Sequence, residues 1–277
     1  MKPHITMTFI LILFLSRFIT FTEKAYSQPE RIEIKLLGAF EQQNTEYKAS
    51  EASGFGLTGQ FVYRLLKTFD LNVRVDYDQM KLTQRDVLFE WEWDYWEKTY
   101  VDFLPGITAQ ELNTTLRYTS SDSIYSAVFV PTQGLKELKF STGAEYRLPT
   151  FKKIQPYLGM NVGLSLFYRE LKMTEHWIKR FKIDTLSTSR FDYEYKFDLT
   201  HFAPTREGNK MFVEPVIGTR LVLTSGLDLD FSYHFVHYFN RDEIKLLAEI
   251  FKISEAGDRW FPLYSKSKFI FGFTFKF

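Results

Sequence analysis

The chain has 277 residues, with 35 basic and 34 acidic side chains, 29 Phe, 16 Tyr and no cysteine. The near-neutral balance leaves no basic surplus for nucleic acid. The lack of cysteine excludes disulfides, thiolate metal sites, a Cys nucleophile and a lipidated N-terminal Cys. Mean hydropathy is −0.22 and one long apolar run occurs, at the N-terminus, which excludes a bundle of several membrane helices.

That first run has the form of an export signal. Lys2 and His4 precede the apolar stretch Ile5 to Leu15, and Ala25-Tyr26-Ser27 is a small-x-small cleavage site, so residues 1–27 are expected to be a signal peptide and Gln28 the first mature residue. The other reading is an uncleaved anchor helix. Arg17 argues against it, because a charge in mid-span is costly.

From residue 31 onward the chain alternates with a period of two, the signature of strands whose successive side chains face opposite ways. Residues 31–41 set Ile32, Ile34, Leu36 and Phe40 against Glu33 and Lys35. Residues 53–66 set Phe55, Leu57, Phe61, Tyr63 and Leu65 against Gly54, Gly56, Thr58, Gln60 and Arg64. Residues 70–80 set Leu71, Val73, Val75 and Tyr77 against Asn72, Arg74, Asp76 and Asp78. Residues 107–118 repeat this weakly, with Arg117 on the polar face, and 123–131 are apolar on both faces. Residues 137–148 place Lys139, Glu145 and Arg147 opposite Leu138, Phe140 and Tyr146. Strands follow at 155–168, at 211–223 with Glu214 and Arg220 on the polar face, and at 227–239 with Asp228, Asp230, Ser232 and His234 there. The last strand, 268–277, carries Phe269, Phe271, Phe273, Phe275 and Phe277 at every second position, with Ile270, Gly272, Thr274 and Lys276 between them. Five rings from one strand would crowd the interior of a soluble barrel. Lipid has room for them, with the polar face lining the lumen.

Short connections near 67–69, 119–122, 149–154 and 224–226 alternate with longer ones at 42–52, 81–106, 169–210 and 240–265; 132–136 is a short exception. The fold class expected is all-β: a transmembrane antiparallel up-and-down barrel of ten strands over 28–277, with long extracellular loops 81–106, 169–210 and 240–265 and both termini periplasmic. Eight strands result if 107–118 and 123–131 belong to an elaborated loop. Thr224-Ser225-Gly226 is expected as a three-residue turn with Gly226 left-handed, pairing Leu223 with Leu227 and Arg220 with Asp230.

The signal followed by Gln28, the motifs Gly143-Ala-Glu-Tyr-Arg-Leu148 and Pro156-Tyr-Leu-Gly-Met-Asn-Val-Gly-Leu164, and the Phe-ended last strand together resemble the outer-membrane β-barrel proteins of Bacteroidetes-type bacteria. The resemblance implies a small, porin-like barrel in the outer membrane; many members look eight-stranded, and one branch resembles the barrel component of the type IX secretion machinery. No residue here selects that branch. A terminal Phe also resembles the insertion signal read by the barrel-assembly machinery, which makes that machinery and outer-membrane lipid the expected partners.

The polar faces carry both charges. Arg64, Arg74, Asp76, Asp78, Glu145, Arg147, Arg220 and Asp230 are expected to form a lumen network, either a salt-bridged plug or the lining of a solute path. Ser232, His234 and Glu214 are the residues available for a hydrolase. Ser232 and His234 are about 7 Å apart by the strand rise, which favours a lumen His in a polar network over a Ser–His–acid nucleophile. His176 and His201 have no partner at metal-ligand spacing; no metal or cofactor is expected. Trp91, Trp93 and Trp96 alternate with acids in 89–97, as an exposed surface for a protein or glycan partner or as a strand rising into an aromatic girdle. Within 240–265, Ile244, Leu247, Phe251 and Ile253 suit one amphipathic helix. The function expected is a non-enzymatic barrel binding through its loops, as an accessory to secretion or adhesion. A small-solute porin or an outer-membrane hydrolase is the alternative.

Overall fold

Ten strands form one antiparallel sheet in the computed structural model: β1 (Ile32–Gln43), β2 (Glu51–Leu66), β3 (Phe69–Thr83), β4 (Thr115–Thr119), β5 (Ser123–Arg147), β6 (Ile154–Phe181), β7 (Tyr193–Phe202), β8 (Arg206–Val222), β9 (Leu227–Tyr238) and β10 (Ser265–Lys276). The structure describes residues 31–84, 87–102, 115–119, 123–182 and 193–277; the expected signal peptide lies outside them. Pairing runs β4-β5-β3-β2-β1-β10-β9-β8-β6-β7, and a further β5–β6 pairing joins the two arms. Eight strands, β1, β2, β3, β5, β6, β8, β9 and β10, therefore close an up-and-down ring. β4 and β7 flank the far ends of β5 and β6 outside the ring.

The sheet has ten strands, the number expected, but not the same ten: two expected segments fuse into β5, and β7 arises inside an expected loop. Residues 123–131 and 137–148 are one continuous strand, β5. Pro131 and Gly134 interrupt the pattern there, but Pro131 falls between the end of pairing with β4, at Val128, and the start of pairing with β3, at Gln133. Among the described residues one flank of the strand has no partner at that point, where a missing N–H costs little. Within the expected loop 169–210, β6 continues to Phe181 and β7 pairs back along it. β4 runs antiparallel to the start of β5, so Thr119 and Ser123, which flank the connection expected at 119–122, lie at the tip of the long strands and not beside the short turns; residues 120–122, and 107–114 of the expected strand 107–118, lie outside the described residues.

The wall has inverted polarity. Phe269, Phe271, Phe273, Phe275 and Phe277 all point outward and are 37 to 67 % exposed. Leu36, Phe55, Leu57, Val73, Tyr77, Phe140, Met160, Ile217 and Phe231 extend this apolar belt around the ring. The intervening residues face the bore, where there is little space. Interior glycines sit opposite large side chains: a Cβ on Gly218 would lie 2.4 Å from the Tyr157 ring, and one on Gly56 would lie 2.3 Å from the Asp78 carboxylate. This alternation of small and large lets the charged layer fit.

The 224–226 hairpin has the expected register, with Leu223 N donating to Leu227 O at 3.1 Å and Arg220 opposite Asp230. Gly226 is not left-handed, contrary to expectation. Its carbonyl instead accepts from Lys276 N at 3.0 Å, so the turn is drawn toward the end of β10.

At the opposite end helices replace the expected loops. α1 (Val87–Trp91) and α2 (Asp94–Trp96) lead into a π-helical turn, Glu97–Val101. After β9 come a 3-10 turn (Arg241–Ile244), α3 (Lys245–Ile250) and α4 (Glu255–Trp260).

Candidate functional site

The bore holds two tiers of ions. In the tier nearer the short turns, Glu33 accepts from Arg64 at 2.8 Å, Arg147 at 2.7 Å and Arg220 at 2.8 Å. Arg147 also holds Asp70, and Arg220 also holds Glu145. Lys35 bridges Glu145 at 3.0 Å and Asp230 at 3.1 Å, and Tyr157 donates to Asp230 at 2.7 Å. In the second tier, Lys266 reaches Glu41, Asp78 and Glu137 at 2.7–3.0 Å. Lys268 reaches Glu41, Asp76 and Asp78 at 3.0–3.2 Å. Lys139 pairs with Asp78, and Arg74 with Asp76 and Glu214. Apart from Arg64, at the open end, these side chains are buried. Charges taken from water this completely are tolerated only when paired and hydrogen-bonded. All eight residues read from the alternation as a lumen network thus meet inside the ring.

Lys266, Lys268, Glu41 and Glu137 carry much of the second tier, yet the sequence reading did not place them in the network. A signal was available. Continuing the alternation of the last strand from Gly272 through Ile270 puts Lys268 and Lys266 on the inward face.

Ser232, His234 and Glu214 do come together, which corrects the distance argument. His234 Nε2 and Ser232 Oγ are 2.8 Å apart, and Nδ1 contacts Glu214. The rise between the two Cα atoms is as expected, but the imidazole leans along the strand and covers it. The three residues are 9, 3 and 0 % exposed, and Arg74 Nη1 lies 2.9 Å from the same Nδ1. Nδ1 therefore either donates to Glu214 or accepts from Arg74. The group is set in the wall of the ion tiers, under the cap.

The cap has two apolar layers. Directly over the ions, Trp260, Phe261 and Leu263 descend from the β9–β10 connection onto Met80, Leu135, Phe167, Phe212 and Tyr238. Beyond them, the long ends of β5 and β6 curve over the α1–α2 segment, burying Trp91, Trp93 and Trp96 to 0, 7 and 5 % exposure among Leu88, Tyr100, Phe129, Leu171 and Met173. The tryptophans are thus neither exposed, as the sequence suggested, nor part of a strand. Their alternation with acids mimics a strand, but an apolar surface on β5 and β6 captures them in helical turns. Arg169 joins the two layers, stacking 4.9 Å from the Trp91 ring and donating to Trp260 O at 2.9 Å.

Glu175, on the extension of β6, is buried in this cap. It accepts from Trp177 Nε1 at 2.6 Å and from the Tyr100 hydroxyl, with His201 Nε2 at 3.3 Å. Burial, with the Glu175 carboxylate as acceptor, pushes the Tyr100 hydroxyl pKa up. His176 pairs with Asp198 at 2.8 Å on the exposed side. Among the described residues no group of His, Asp and Glu is placed to hold a metal.

A closed antiparallel ring with an apolar belt outside and paired ions inside is a transmembrane β-barrel. No protein-family model matches the chain, and no curated protein matches it. Among solved structures it is similar to Neisserial surface protein A, NspA, with 15 % identity over 91 % of this chain and 100 % of that one and a TM-score of 0.42. It is also similar to Ail, the attachment invasion locus protein of Yersinia pestis (10 % identity, 89 % and 96 % covered, TM-score 0.34). The N-terminal β-barrel domain of Pseudomonas aeruginosa OprF is a third (12 %, 90 % and 100 %, 0.30).

Proposed function

We propose that this chain is an integral outer-membrane β-barrel, termini in the periplasm, that does not conduct and that meets a protein or glycan partner through the sheet raised beyond its rim. The observation that carries this is the filled bore. Two tiers of buried, paired ions lie beneath an apolar layer, and eight-stranded rings are narrow enough for side chains to fill. The work then falls to the β4-β5-β6-β7 sheet. On β7, Tyr193, Tyr195 and Leu199 are exposed, and Tyr195 continues a ring stack that begins Trp177–Phe197 in the cap. Such a ladder suits sugar rings or the aromatic side chains of a protein. The Bacteroidetes-type likeness of the strand motifs agrees with an outer-membrane setting, and the Phe-ended β10 suits recognition by the barrel-assembly machinery.

Planar bilayers test the first half: the expected result is no stable, ion-selective conductance, and a reproducible channel would sink the plugged reading. Crosslinking on cells tests the second, with a Tyr193→Ala/Tyr195→Ala/Leu199→Ala variant as control. Partners should be enriched on the parent chain over the variant, and equal capture would refute the role of β7. The Ser232–His234–Glu214 contact supports a second reading, an outer-membrane hydrolase. It predicts lipid or peptide hydrolysis that is abolished in His234→Ala.

A further inference from the structure

The connection from β9 to β10 leaves the ring, crosses the wall and returns. The β8–β9 ladder ends at Phe212 opposite Tyr238, so the flank of β8 from Arg206 to Met211 is open on that side. The connection passes over this flank. Asn209 holds it from both sides: Ser254 N donates to Asn209 Oδ1 at 2.7 Å, and Asn209 Nδ2 donates to Lys252 O at 3.3 Å. Lys210 donates to Asn240 Oδ1 at 2.7 Å and pairs with Asp258 at 2.6 Å. Gly257 lies so close that a Cβ would sit 2.3 Å from Asn209 O. Beyond Gly257, Trp260 and Phe261 enter the bore.

Before the crossing, α3 sits on the outside of the ring. Ala248 is buried against Met211 and Ile253, with Leu164 and Phe239 packed around them. Leu164 and Met211 are paired neighbours on the outward face of β6 and β8. At about 100° per residue, Leu246, Leu247, Ile250 and the C-cap Phe251 fall on one arc beside Ala248, while Lys245 and Glu249 fall on the opposite arc. The four apolar side chains are all exposed, Leu246 at 71 % and Ile250 at 62 %. A polar chain segment is therefore fastened to the wall so as to display a bare apolar face.

Its level on the wall indicates what covers that face. Below Leu164 on the same outward row, Val162 and Met160 are exposed belt residues. Above it the row reaches the outward Lys136–Glu170 ion pair at 3.1 Å. Glu170 lies six residues on, about 20 Å along the strand. Beside it on β8 the outward row passes from Met211 to Asn209, so the helix is attached at the upper edge of the apolar belt and continues it sideways. An apolar arc continuous with the lipid-facing wall, backed by charges, is the pattern of a helix lying in the membrane interface.

We propose that α3 is immersed in the outer leaflet, with Leu246, Leu247, Ile250 and Phe251 among lipid acyl chains. The β9–β10 connection then acts as a clip over the rim, one end in lipid and the other seated in the bore. This rests on the outer-membrane reading above, and the test separates the two. The chain has no cysteine, so single-cysteine variants take one environment-sensitive fluorophore each. Leu246→Cys, Ile250→Cys, Lys245→Cys and, on the belt, Phe271→Cys are reconstituted in phospholipid vesicles and checked for folding by heat-modifiable migration. Nitroxide-labelled acyl chains should quench positions 246, 250 and 271 by about half or more, while aqueous iodide quenches 245. Quenching at 271 with iodide access at 246 and 250 would overturn the proposal and leave the barrel standing. Absence of acyl-chain quenching at 271 would overturn the barrel reading itself. Protection of 246 and 250 from both quenchers, with energy transfer between labelled copies, would assign the face to a second copy and also overturn the lipid assignment.

Discussion

Arg220 touches more of the lower ion tier than any neighbouring cation, reaching Glu33 at 2.8 Å, Glu145, and Asp230 at 3.5 Å, and stacking 4.9 Å from the Tyr157 ring. With Asp70 at 3.9 Å, its removal takes a partner from four buried carboxylates. Breaking a buried ion pair from one side costs about 3–5 kcal/mol, so Arg220→Ala is expected to lower the urea midpoint sharply. Arg64→Ala, at the partly exposed end, should cost far less. Similar losses from the two variants would contradict the tier as described. The same residues mark how far sequence reasoning reaches. Alternation identified Arg220, Asp230, Glu145 and Arg147 as inward, because period two is a property of the backbone. It could not say which cation meets which carboxylate, since cross-bore partners such as Lys35 and Glu145 depend on the stagger of the closed ring.

Among the elements, the cap departs most from its sequence pattern. Residues 89–97 alternate like a strand but fold into helical turns, because their rings pack on β5, whose full length is hidden by Pro131 and Gly134, and on β6, whose extension falls in the expected loop 169–210. All five tryptophans, Trp91, Trp93, Trp96, Trp177 and Trp260, lie in or beside the cap, so intrinsic fluorescence reports on this element and not on the belt. Tyr100 supplies a prediction there. Its folded pKa is raised above the ordinary value of 10.0 by burial beside Glu175. The resulting stability is fully present below that value and is lost as pH rises above it, because the unfolded hydroxyl ionises first. Wild-type tryptophan emission should shift to the red as pH climbs past about 10. Tyr100→Phe should flatten that dependence, and an unchanged profile would remove Tyr100 as its cause.

For the whole molecule, the eight-stranded ring has no free edge in the belt: β10 pairs with both β9 and β1, and Phe277 N donates to Ile32 O at 2.9 Å. A closed ring unfolds only by breaking a seam, so unheated samples in detergent are expected to run faster on gels than boiled ones. A folded chain that stayed soluble without detergent would refute the membrane assignment. The outer belt was the most legible feature of the sequence, since lipid imposes one rule on every outward residue from Ile34 to Phe277. The cap was least legible because no such uniform solvent acts on it; each of its rings is placed by its neighbours.

β5 and β6 run without interruption from the short-turn end to the tip of the raised sheet, paired from Ser123–Phe181 to Arg147–Tyr157. A pull applied at the tip and directed away from the cell would be carried along those two strands into the ring. Because ladder hydrogen bonds lie across the strand axis, such a load acts on many of them at once, in shear. It does not peel them apart singly, as it would at a hinged loop. The long hairpin is therefore a mast stepped into the hull of the barrel, built so that tension at its top is shared along the whole ladder.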